Sequence, residues 1–189
     1  MSQNQIKSLT LTQLKQKLNE LSKEEVIELF LETLRGDKEV RTFVSVKLQG
    51  EKAVLEIIKE YKEKIRKEFD PPRGAPKLRV ATVKTAIADI NKIARETEWP
   101  LELMVYFAEM AVQFIHEWGD ISEDMGYYFT DTYEEIIQLL NKQKTPDLYD
   151  KYKGRLKKIM KTKNCGCWGI EDSLKGSYSV LKWVEQVYS

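Results

Sequence analysis

Cysteine and histidine are nearly absent from this chain. Its 189 residues include two cysteines, both in Cys165-Gly166-Cys167, and a single histidine, His116. Structural zinc takes four Cys or His ligands, usually with two or more residues between paired cysteines, and redox dithiols favour two, so neither chemistry fits. Two cysteines also make no disulfide framework, and the cytoplasm is the expected location. Glycine and proline are sparse, at nine and five residues, which leaves no long flexible linker. No apolar run approaches the roughly 18 residues of a membrane span. Residues 1–9 lack the basic region and apolar core of a secretory signal. The glycine motifs that cradle phosphate and the strand-to-helix nucleophile elbow are missing too. No cofactor is expected, and catalysis is not the leading expectation.

A further gap concerns charge. Residues 96–141 contain no lysine or arginine, while eleven acids fall within residues 96–135. Residues 142–163 then carry nine basic residues against two acids. The formal net charge of +1 therefore hides two opposed segments that need not cancel in space.

What is present is helical periodicity. Hydrophobic residues make up 42% of the chain and charged residues 32%, the balance of a folded, charge-rich protein rather than a disordered one. Apolar residues return every three to four positions almost throughout, and strand-like alternation is nearly lacking. Leu11, Leu14, Leu18 and Leu21 share one face of a first helix. Ser22-Lys23-Glu24-Glu25 has the capping-box pattern, in which serine accepts from one orphan amide and glutamate reaches back to another. It opens a second helix with Val26, Leu29, Phe30 and Leu34, stopped by Gly36. A third, over 38–48, is rich in β-branched residues. A regular stripe over 51–69 is ended by Asp70-Pro71-Pro72-Arg73-Gly74-Ala75-Pro76, because proline lacks the amide donor and disfavours helix before it. Val83, Ala86, Ile87, Ile90, Ile93 and Ala94 mark the next helix. The helix from Pro100 to Trp118 has the broad apolar arc of a core element: Leu103, Met104, Phe107, Ala111, Phe114, Ile115 and Trp118. A helix capped around Asp120 and Ser122 follows. Then comes a basic helix that starts at Thr145-Pro146 and ends near Asn164, and a last one over 170–188. The expectation is all-α, eight or nine helices in a bundle or stacked helical hairpins. The proline loop divides an N-terminal helical subdomain, 1–70, from a C-terminal bundle, 77–189, unless the two form one continuous domain.

Two stripes carry candidate chemistry. Glu102, Glu109, Gln113 and His116, with Asp120 just beyond, fall along one line of the core helix, and such a line can do acid–base work or bind metal. The Glu-x-x-His spacing of di-iron bundles is missing, since Gln113 stands three before His116. The plainer reading is a water-facing side, or a dock for the basic helix. In that basic helix, Lys151, Lys153, Arg155, Lys157, Lys158 and Lys161 cover one arc and Leu148, Tyr149, Tyr152, Leu156, Ile159 and Met160 the other. Basic amphipathic helices engage phosphates, anionic membranes or acidic proteins. Arg73 and its neighbours at the proline loop would extend such a surface. The plainer reading is a solvated face balanced by the acids of residues 96–135. Lysine outnumbers arginine here, which argues against base-specific reading. Tyr127, Tyr128, Trp183 and Tyr188 are candidates for a dimer surface.

Leu9-Thr10-Leu11-Thr12-Gln13-Leu14 and Leu18-Asn19-Glu20-Leu21-Ser22-Lys23-Glu24-Glu25 belong to a set of short stretches in order along the chain. Lys67-Glu68-Phe69 with Pro72-Arg73-Gly74, Gly119-Asp120-Ile121 and Trp168-Gly169-Ile170 complete it. Together they resemble a bacterial family of small helical proteins of unknown function. The resemblance implies a helical bacterial protein and no functional residues. The opening helix–turn–helix is similar in leucine spacing to SAP-type DNA-binding modules, but it has Ser22-Lys23-Glu24-Glu25 where they carry a basic, glycine-containing connection. The function expected is a non-catalytic protein-binding or scaffolding module. Nucleic-acid binding through residues 151–163 is the first alternative, and a metal-dependent enzyme built on Glu109, His116 and Asp120 the second.

Overall fold

The computed structural model describes residues 8–94, 98–162 and 169–183. Among these there are nine helices and no strand, so the chain is all-α. No helix among the described residues is long and apolar enough to cross a membrane.

The helices divide into two compact units between Gln49 and Gly50. The first unit holds α1 (Leu11–Asn19), α2 (Lys23–Gly36) and α3 (Lys38–Gln49). Local chemistry sets its helix ends. Ser22 Oγ accepts from Glu25 N at 3.2 Å while Glu25 Oε2 accepts from Ser22 N at 2.8 Å, the expected capping box. A second box joins Thr10 and Gln13 at the start of α1. Gly36 is the last residue of α2, and Asp37 opens α3 by accepting from the amides of Glu39 and Val40. α2 packs on α3.

The second unit holds α4 (Glu51–Phe69), α5 (Val80–Ala94), α6 (Trp99–Trp118), α7 (Glu123–Asn141), α8 (Asp147–Met160) and α9 (Ile170–Ser179). α6 is its centre and packs against α4, α5, α7 and α8, while α9 packs on α7 and α8. Eleven residues of α6 are buried, as a helix apolar around most of its circumference must be. Phe107 lies among the rings of Phe69, Tyr128 and Phe129, with centroids 5.4–6.4 Å away. Gly119 stops α6 with φ 78°, a left-handed position that glycine adopts without strain, and its amide donates to Ile115 O at 2.8 Å. Trp118 departs from the expected core arc. It is 64% exposed on the last turn and stacks on Phe114.

α4 packs on α5 and α6 and so belongs to the bundle. The loop after it is a tied-down turn. Glu68, only 2% exposed, accepts from the amides of Lys77 and Leu78 through its carbonyl and from the Arg79 amide through its carboxylate. The Arg79 guanidinium closes on the same carboxylate at 2.7 Å. Leu78 is held at φ 49° within this wrap. Burial opposes ionisation of Glu68, but the Arg79 donors and charge, with the Thr82 hydroxyl, outweigh it and keep the carboxyl below its ordinary value. A depressed carboxyl adds stability above its unfolded value and loses it as pH falls through its folded value. Glu68→Ala is therefore expected to cost about 2 kcal/mol near neutral pH. The deficit should shrink in acid, below the ordinary carboxylate range, as wild type loses the same contribution. Urea melts of both proteins at several pH values measure it.

Candidate interaction surfaces

The acidic stripe of α6 and the basic face of α8 meet inside the second unit. Arg155 extends its planar fork across to α6. Nε and Nη2 donate to the two oxygens of Glu109, both at 2.7 Å, and Nη1 donates to Glu102 Oε2 at 2.6 Å. Glu102 turns its other oxygen to Lys62 of α4, 2.6 Å away. Lys62 in turn lies 5.0 Å from the centre of the Tyr106 ring. Three helices are thus bound by two cations and two carboxylates, partly out of water. Burial raises the cost of charge on Glu102, yet Lys62 and Arg155 prevail and hold its carboxyl below the usual range. Hydrogen bonds from Arg155 to Glu109 and Glu102 likewise lock the guanidinium in its charged form. Beneath them, burial and the nearby carboxylates push the Tyr152 phenol up.

The candidate residues of the basic helix therefore have different fates. Arg155 is spent on α6, and Lys151 pairs with Glu98. Lys153 pairs with Asp150 of its own helix at 2.8 Å. Lys157, Lys158 and Lys161 remain exposed and make no ion pair among the described residues. Arg73 is exposed in the loop after α4.

The residues of the acidic line have partners of their own. Glu102 and Glu109 hold Arg155, Gln113 donates to Glu117 at 2.8 Å, and Asp120 accepts from the amide of Ile121. His116 is exposed on the outer side of α6. Cys165, Cys167 and Trp168 lie outside the described residues, as do Tyr188 and the last part of the expected 170–188 helix. Of the proposed dimer aromatics, Tyr128 packs on Phe107 and Trp183 donates its indole N–H to Leu140 O at 2.9 Å, which leaves Tyr127 exposed. An open cleft of about 360 Å³ between α4 and α5 is lined by Tyr61, Lys64, Thr82, Thr85 and Asp89.

The surface that the residue pattern did not flag is apolar. Of the fifteen large hydrophobic residues exposed among the described residues, eleven lie in the first unit or at its entry: Leu9, Leu11, Leu14, Leu18, Leu21, Ile27, Leu29, Phe30, Leu31, Phe43 and Leu48. α1 and α2 bury no residue at all, and α3 buries only Val46. In α2, Val26, Ile27, Leu29, Phe30, Leu31 and Leu34 form a broad apolar arc over just over half the circumference, opposite a face that carries Glu24, Glu25, Glu28, Glu32 and Arg35. Soluble single chains seldom leave so many large apolar residues together in water, and such patches mark contact sites. The signal was in the sequence, as an apolar arc over 22–36 broader than a single stripe, but periodicity does not reveal what covers a face.

Compared with known proteins, the chain matches no family model, no curated protein and no solved structure.

Proposed function

We propose that this chain is a non-catalytic protein-binding module that engages its partner through the apolar faces of α1, α2 and α3. The observation that carries the reading is the set of eleven exposed large hydrophobic residues, nine in three helices that hold almost no core of their own and two, Leu9 and Leu21, beside α1. Helices of 9, 14 and 12 residues are marginal alone and gain stability mainly from packing of an apolar face. A partner that covers those faces supplies it. The commitment of Arg155 and Lys151 to carboxylates of α6 and its entry supports this reading over nucleic-acid binding, since it takes two charges from the basic face. The use of Glu102 and Glu109 as docks for Arg155 supports a structural role for the acidic stripe. The scarcity of cysteine supports a cytoplasmic setting.

The test compares three immobilised proteins in extract of the producing cells, with bound proteins and nucleic acid both quantified. They are wild type, Leu14→Asp with Phe30→Asp, and Lys157→Ala with Lys158→Ala and Lys161→Ala. Proteins retained by wild type and the lysine variant should bind the aspartate variant about tenfold or more weakly. Retention of nucleic acid that needs the lysines and falls steeply with salt would instead establish the alternative.

A further inference from the structure

We infer that the partner covering α1–α3 is a second copy of this chain. This rests on the binding reading above and names its partner. Three observations point to it. The first is area. The eleven residues are 37–85% exposed. At about 180 Å² for a fully exposed large apolar residue, they present about 1,000 Å² per chain, against the roughly 800 Å² each partner gives to a standard interface. The second is charge. Residues 8–49 carry seven basic and seven acidic residues, so two copies of the segment approach without net repulsion. The third is how those charges are sorted. α1 has Lys15 and Lys17 and no acid, with Lys17 held by Glu20 just beyond its end, while α2 carries Glu24, Glu25, Glu28 and Glu32 against Lys23 and Arg35.

A two-fold axis makes every contact reciprocal, so α1 of one copy on α2 of the other recurs as α2 on α1. That pairing sets lysines beside glutamates twice and apolar stripes against each other between them. The broad apolar arc of α2 is then covered by the partner copy while its glutamate face stays at the rim. The assembly is a helical bundle in which each copy completes the other's core, with ion pairs at the rim fixing the register.

Sedimentation equilibrium of the full chain over about 1–100 µM tests this, a range in which any dimer of micromolar or tighter affinity is populated. Wild type should sediment with a mass approaching twice that of the monomer. Leu14→Asp with Phe30→Asp should be monomeric while the second unit keeps its cooperative melt, which shows that the loss is not general unfolding. Lys15→Glu with Lys17→Glu should weaken the dimer about tenfold, and Glu24→Lys with Glu28→Lys added to it should restore most of the affinity. A wild-type monomer at the top concentration overturns the inference. If the extract experiment still yields a protein released by the aspartate substitutions, the binding reading survives that failure. If it yields none, both fall. A dimer that persists in the aspartate variant also overturns the inference, because its interface then lies elsewhere.

Discussion

Phe107→Ala is expected to destabilise the second unit by about 3–5 kcal/mol, the largest single effect the fold predicts. Phe107 is fully buried on α6, the helix that touches most of the others in the unit. Its ring meets Phe69 from α4 and Tyr128 and Phe129 from α7, so truncation opens a cavity where three helices join. The neighbours are large rings held by their own helices, which limits how far they can collapse into the space. The edge-on and tilted ring packing that disappears with the side chain adds to the transfer cost. Thermal melts should show a midpoint lower by about 10 °C or more. Tyr127→Ala, on the exposed side of α7, should change stability by less than about 0.5 kcal/mol. Equal effects from the two substitutions would contradict the packing described for α6 and α7.

Arg155→Ala should cost about 2–3 kcal/mol, below the usual figure for breaking a buried pair because the guanidinium is 30% exposed. The loss comes less from removing an attraction than from leaving Glu102 and Glu109 together without their shared cation. Lys62 still reaches Glu102, so Glu109 bears most of the penalty. Arg155→Lys should recover only part of it, since an ammonium cannot make the paired Nε and Nη2 bonds to one carboxylate. Guanidinium chloride is a poor denaturant for this comparison, as it screens the very charges at issue, and urea melts at low salt are the suitable measurement. The pH dependence has a definite sign. Because the Glu102 carboxyl is held low, its share of stability is complete above the ordinary carboxylate range and disappears as pH falls through its depressed value. The difference between wild type and Arg155→Ala should therefore narrow in acid. A gap that stays constant from neutral pH to well below the carboxylate range would contradict the pairing.

Much of the helix plan was legible in the sequence because its determinants are local. The Ser22–Glu25 capping box, the stop at Gly36 and the core arc of α6 each rest on residues close together in the chain. The Thr10–Gln13 box had the same kind of signature and was legible in principle. Long-range pairing was a different matter. Arg155 meets Glu102 and Glu109 across 53 and 46 residues, and opposed charge runs indicate only that such pairing is available. The proline loop has the composition of a linker. Its backbone is captured by Glu68, a residue whose role needs the fold to be seen. Trp118 counted toward the core by spacing, yet it falls on the last turn of α6, where the arc runs out past its neighbours. Periodicity put Leu11, Leu14, Leu18 and Leu21 on one face without saying what covers it, and the structure leaves all four exposed.

Hydrogen exchange along the chain, followed by mass spectrometry at two protein concentrations about a hundredfold apart, tests most directly whether α1–α3 depend on a second molecule for their cover. Protection of residues 11–49 should rise with concentration while that of 51–160 stays unchanged. Strong protection of 11–49 that is the same at both concentrations would mean that a single chain already covers those faces, and the proposed surface would not exist.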